Sequence, residues 1–114
     1  RKDRVRTTRI LLPRSLIGKS DGWCDDVGHR AYNRPVRLPF AGRHERLWRE
    51  DRLYDVLTVL DYNFSSRING SGSAIFFHVM AEDGKPTEGC VAIRPDDMRR
   101  LLPFLSRNTQ LIVC

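Results

Sequence analysis

Apolar residues recur more regularly in the second half of the chain than in the first. Leu53 to Leu60 (LYDVLTVL) alternates well enough to predict a strand, closed by Asp61-Tyr62-Asn63. Asn69 to Ser73 (NGSGS) reads as a tight, flexible link. Ala74 to Met80 (AIFFHVM) is aromatic and β-branched, as in a buried strand, with His78 near its end. A polar excursion, Ala81 to Glu88, leads to a third strand over Gly89 to Ile93. Arg94-Pro95-Asp96-Asp97 then opens a helix, because proline suits the first helical position and acids suit the positive end of the helix dipole. Met98, Leu101, Leu102 and Leu105 form its apolar stripe, and Pro103 should end its regular part near Leu102. A final strand is predicted over Thr109 to Val113.

The first half carries weaker signals. Thr8 to Leu12 is a short β-prone run closed by Pro13. From Pro13 to Pro39 the chain is rich in Gly, Pro, Asp and Asn, which predicts a long loop carrying function. Arg43 to Asp51 (RHERLWRED) suits one or two helical turns with Leu47 and Trp48 facing inward. Strands outnumber helices, so the expected fold is mainly β, a sheet or small barrel with one packed helix.

At 114 residues the chain has room for one domain. No apolar run approaches the roughly 20 residues of a membrane-spanning helix. The formal charge is +6, and its distribution is uneven. Residues 1–50 hold 13 bases and 6 acids, whereas residues 51–114 hold 7 and 8, so the excess lies in the first half. Such a surface favours polyanions, yet no zinc-finger, recognition-helix or RNA-binding aromatic motif accompanies it, and no nucleic acid is expected as partner. Three cysteines, Cys24, Cys90 and Cys114, are too few for a disulfide scaffold. Cys24, His29, His44 and Asp25 lack the spacing of a zinc site, so neither metal nor cofactor is expected.

The chemistry-bearing constellation is His78 followed by Thr87-Glu88-Gly89-Cys90. The histidine ends one strand and the cysteine opens the next, so neighbouring strand ends can bring thiol and imidazole together. A thiol beside imidazole loses its proton more easily, and the thiolate is the nucleophile. Gly89 leaves room for a substrate carbonyl, and the amides around Gly89 and Cys90 can face a developing oxyanion. No acid offers itself as the imidazole's orienting partner, which points to a backbone carbonyl in that role.

The stretch Gly72-Ser73-Ala74-Ile75-Phe76-Phe77-His78, followed by Thr87-Glu88-Gly89-Cys90-Val91-Ala92-Ile93, resembles the active-site signature of L,D-transpeptidase (YkuD-type) catalytic domains. Asp21-Gly22-Trp23-Cys24-Asp25, Ala31 to Val36 and Leu53-Tyr54-Asp55 are similar to a bacterial branch of that family. The pattern departs at Ala92, where many members carry Arg, and at Glu88, where His is usual. The 11 residues between His78 and Cys90 also make a short interval.

The resemblance implies a β-sandwich or partial barrel with one helix packed after the catalytic strand. It further implies that residues 1–114 are the C-terminal portion of one catalytic domain whose first strands are missing. Cys90 is the implied nucleophile and His78 the base, with Thr87 and Gly89 shaping the site. Trp23, Tyr32, Asn63 and Ser73 are the implied substrate contacts. The expected partners are peptidoglycan stem peptides, joined by acyl transfer with release of D-alanine, with carboxypeptidase action as a side activity. The expected location is the cell envelope or periplasm after export, as a monomer. The competing expectation is a non-catalytic basic module that binds anionic wall polymer or nucleic acid. Salt separates the two, since binding by charge collapses on adding salt and acyl-enzyme formation at Cys90 survives it.

Overall fold

Residues 9–114 are described by the structure, a computed structural model, in which six short strands form two sheets. β1 (Asp21–Cys24), β2 (Pro35–Arg37) and β3 (His44–Arg46) make an antiparallel sheet in the order β2-β1-β3. β4 (Leu57–Val59), β5 (Phe76–Val79) and β6 (Val91–Ile93) make the other, in the order β4-β5-β6. In this second sheet β4 runs antiparallel to β5 and β6 parallel to it. Among the described residues one helix, α1 (Pro95–Leu101), follows β6 and tightens into a 3₁₀ turn over Leu102–Phe104. The mainly β expectation holds.

β5 is buried along its whole length, and its alternation feeds two separate cores. Phe76 faces a cluster of Trp23, Leu47, Tyr54 and Ala74, with Cys90 packed at its border. Phe77 and Val79 face the opposite way, onto Met98, Leu102 and Leu105. The helix stripe is thus narrower than its sequence implies, because Leu101 turns to solvent. Pro95 opens α1, with Asp96 and Asp97 in the first turn and Arg99 and Arg100 in the last, matching the helix dipole at both ends. Pro103 sits within the 3₁₀ turn, so the regular helix ends as the proline requires.

Five expectations are corrected. The opening run begins at Thr8, outside the described residues, and Arg9 to Leu12 form no strand; Leu12 instead packs against the helix cluster. The loop expected over Pro13 to Pro39 contains β1 and β2, joined through the turn at Asp26–Tyr32. Their pairing, Gly22 opposite Val36 and Trp23 opposite Pro35, outweighs the local turn signals. Arg43 to Asp51 holds strand β3 rather than helical turns, because its backbone pairs with Gly22 to Cys24; Leu47 is buried as expected. Thr109 to Val113 is not a strand, and Leu111, Ile112 and Val113 stand exposed with no ladder beside them. The strand expected at Leu53 to Leu60 shortens to β4, leaving Tyr54 on a turn that aims its ring into the core. No helix among the described residues is long and apolar enough to cross a membrane.

Candidate active site

The site lies on the face of the β5–β6 pair that looks toward Trp23. Phe77 pairs with Val91 and His78 with Ala92 in parallel register, so Phe76, His78, Cys90 and Ala92 share one face. His78 is 2% exposed. Its Nδ1 lies 2.7 Å from the Val79 carbonyl oxygen. A carbonyl only accepts, so Nδ1 carries a proton, and in the neutral ring the lone pair is then on Nε2. The expected backbone partner for the imidazole is therefore present. The Tyr54 ring meets the imidazole edge-on at 5.3 Å and meets Phe76 in the same manner at 5.8 Å.

Cys90 is half-buried and free. Its Sγ accepts the Phe76 N–H at 3.4 Å and donates to the Ala74 carbonyl at 3.2 Å. Burial pushes the thiol up from its ordinary range, the Phe76 amide pulls it down, and the Glu45 carboxylate pushes it up again. The sequence reading expected a thiol made acidic by imidazole. In the resting structure burial wins, and the sulfur holds its proton against Ala74.

Gly89, just before the nucleophile candidate, has φ +92°, a conformation that a side chain would strain. None of the described backbone hydrogen bonds uses the Gly89 or Cys90 amide. Thr87 Oγ1 donates to the Cys90 carbonyl oxygen and closes the turn that presents the sulfur.

The four residues implied as substrate contacts converge on Gly72 to Ala74, the segment that receives the thiol proton. Trp23, 3% exposed, donates from Nε1 to Asn33 Oδ1 at 3.0 Å. That same oxygen accepts the Ala74 amide at 3.3 Å. Tyr32 is buried, and its hydroxyl accepts the Gly72 amide at 3.1 Å. Asn63 donates to the Gly72 carbonyl at 2.9 Å, and Ser73 Oγ donates to the Cys24 carbonyl at 2.8 Å. Their described contacts are with the chain itself. Asn33 is thus the group that bonds Ala74, which is left-handed, φ +57°, with its carbonyl on the sulfur.

Sequence reasoning missed Glu45 and Tyr54. Tyr54 donates to Glu45 Oε1 at 2.6 Å, and burial followed by this bond raises its phenol well above the ordinary range. Reading His44 to Arg46 as a strand beside Trp23 would have turned Glu45 inward. No group of three or more His, Cys, Asp or Glu side chains gathers as a metal site among the described residues. Two surface cavities, of about 600 and 220 Å³, lie at the start of α1 and between Gly28 and Asn69, and Cys90 lines neither.

A search of curated proteins and a search of solved structures found no match. A scan against family models found that of the L,D-transpeptidase catalytic domain (YkuD), which matches residues 6–113.

Proposed function

Because the chain belongs to the L,D-transpeptidase catalytic-domain family, we propose that it transfers peptidoglycan stem peptides through a thioester on Cys90. The family is that of a transpeptidase acting on peptidoglycan. The finer reading rests on one observation: a half-buried cysteine shares a strand-pair face with an imidazole whose Nδ1 is tied to a carbonyl.

His78 Nε2 takes the thiol proton as Sγ leaves Ala74 O and attacks the carbonyl of the third stem residue, a diamino acid. The raised thiol makes this transfer concerted with substrate arrival rather than settled beforehand. The Gly89 and Cys90 amides face the tetrahedral oxyanion. Collapse breaks the peptide bond, and the imidazolium gives its proton to the departing D-alanine amine. An amine of a second stem peptide then attacks the thioester and forms the cross-link. Water in its place gives the carboxypeptidase reaction. Such chemistry belongs in the cell envelope, where its substrate is.

The test is intact mass spectrometry after exposure to a carbapenem-type β-lactam or a tetrapeptide donor. A mass increase mapped to Cys90 and lost in Cys90→Ala is expected. Labelling confined to Cys24, or a Cys90→Ala chain that still acylates, overturns the reading.

A further inference from the structure

Glu45 is a carboxylate on the wrong side of its sheet. It pairs with Trp23 across β1 and β3, so both side chains leave the same face, and Trp23 leads that face into the apolar cluster around Phe76. Glu45 is half-buried, and a charge drawn partly out of water favours a partner. Tyr54 satisfies Oε1, yet no cation forms an ion pair with Glu45 among the described residues. Arg49 is close by: its guanidinium lies over the Tyr54 ring at 5.2 Å, pairs with Asp51 at 2.5 Å and is attracted by the Glu45 charge without an ion pair to it. The groups around the carboxylate are thus Tyr54, Arg49 with its Asp51, and Cys90 with the neighbouring His78.

The contacts form one chain from carboxylate to sulfur. Glu45 holds the Tyr54 hydroxyl, the Tyr54 ring rests on His78 and Phe76, and the Phe76 amide touches Sγ. We propose that Glu45, fixed by Tyr54, is the subsite for the primary ammonium group of the amine that accepts the acyl chain. This rests on the transfer reaction proposed above and assigns it a specificity-determining residue. A carboxylate beside the sulfur disfavours its thiolate form. An ammonium at Glu45 offsets that charge in the second step, when the sulfur leaves the thioester, and brings its nitrogen to the thioester carbonyl. Guanidinium does not serve, because it keeps its proton and is no nucleophile.

The step balances. The ammonium loses one proton to His78 Nε2, and the free amine attacks the thioester carbonyl. The N–C bond forms, the C–S bond breaks, and a second N–H proton ends on sulfur while the third stays on the amide. His78 then releases its proton to solvent.

The test compares alkylation of Cys90 by 2-bromoethylammonium and by neutral iodoacetamide, in the native chain and in Glu45→Gln. The cation-to-neutral rate ratio should fall about tenfold in Glu45→Gln, while the neutral rate at pH 7 rises because the thiol ionises more easily. Added 1,5-diaminopentane should slow the cationic reagent alone in the native chain, an arm that needs no variant to fold. In a second measurement the acyl-enzyme partitions between a diamino-acid amide and water. Glu45→Gln should lose about tenfold of the aminolysis and none of the hydrolysis. An unchanged ratio together with no protection by the diamine overturns the subsite. Absence of any acyl-enzyme overturns the transfer reading instead, and the alkylation ratio still judges Glu45.

Discussion

On one face of β5, Phe77 and Val79 meet Met98, Leu102 and Leu105 in an all-apolar cluster. On the other, Phe76 and His78 share their surroundings with an indole, a phenol, a carboxylate and a thiol. Four residues of one strand thus serve two regions that differ in chemistry and share a backbone. The two-residue period of a strand makes this possible, since neighbours point to opposite sides without competing for space. The face toward α1 supplies stability through burial alone. The other spends part of its apolar area on holding polar groups in place, and its hydrogen bonds are there for direction. Changes on the first face should therefore be read in unfolding, and changes on the second in turnover.

The sharpest way to test that division is His78→Gln, which removes the base and keeps the size of a buried polar side chain. Acylation should fall by about 10²–10⁴-fold, with iodoacetamide labelling of Cys90 retained in the folded chain. Met98→Ala on the opposite face should do the reverse. It empties a position that is fully buried beneath Phe77 and Val79 and should cost about 2–5 kcal/mol of stability. Denaturant unfolding measures that loss, while the acylation rate below the unfolding transition stays within about twofold if the faces are independent.

A smaller effect comes from pH. The folded chain holds the Cys90 proton more tightly than the unfolded chain does, first through burial and then through Glu45. The stability this thiol contributes is therefore full below the ordinary thiol range, near about pH 8.5, and is lost as pH rises through it toward the folded value. Denaturant midpoints followed from pH 7 to 10 should decline, and Cys90→Ala should flatten part of that decline. The smallest effect belongs to Tyr54→Phe, which keeps the ring against His78 and removes the bond to Glu45. It should cost about 0.5–1.5 kcal/mol in stability and slow acylation less than tenfold.

The same contrast explains what was legible beforehand. β5 was readable because a strand buried on both faces is a continuous apolar run, β6 because Val91-Ala92-Ile93 is a short apolar run, and α1 because Pro95, Asp96 and Asp97 announce a helix start. β1, β2 and β3 are three or four residues long and hold Gly22, Pro35 and Glu45, so no periodicity marks them. Their existence depends on pairing with one another, which is a property of distant residues. The final apolar stretch failed for the converse reason: Leu111 to Val113 has strand composition and no neighbour to pair with. His78 and Cys90 stood out because their types and order carry the signature by themselves. Glu45 and Tyr54 did not, because only the register of Trp23 opposite Glu45 brings that carboxylate to the tyrosine.

Asn33 gives its one side-chain oxygen to both the Trp23 indole and the Ala74 amide, and Ala74 in turn receives the thiol. The resting latch on the sulfur is thereby bolted to the centre of the molecule through a single atom. Reactivity at the rim has no play independent of the interior, so selection for a firm interior is at the same time selection for how readily the sulfur is let go.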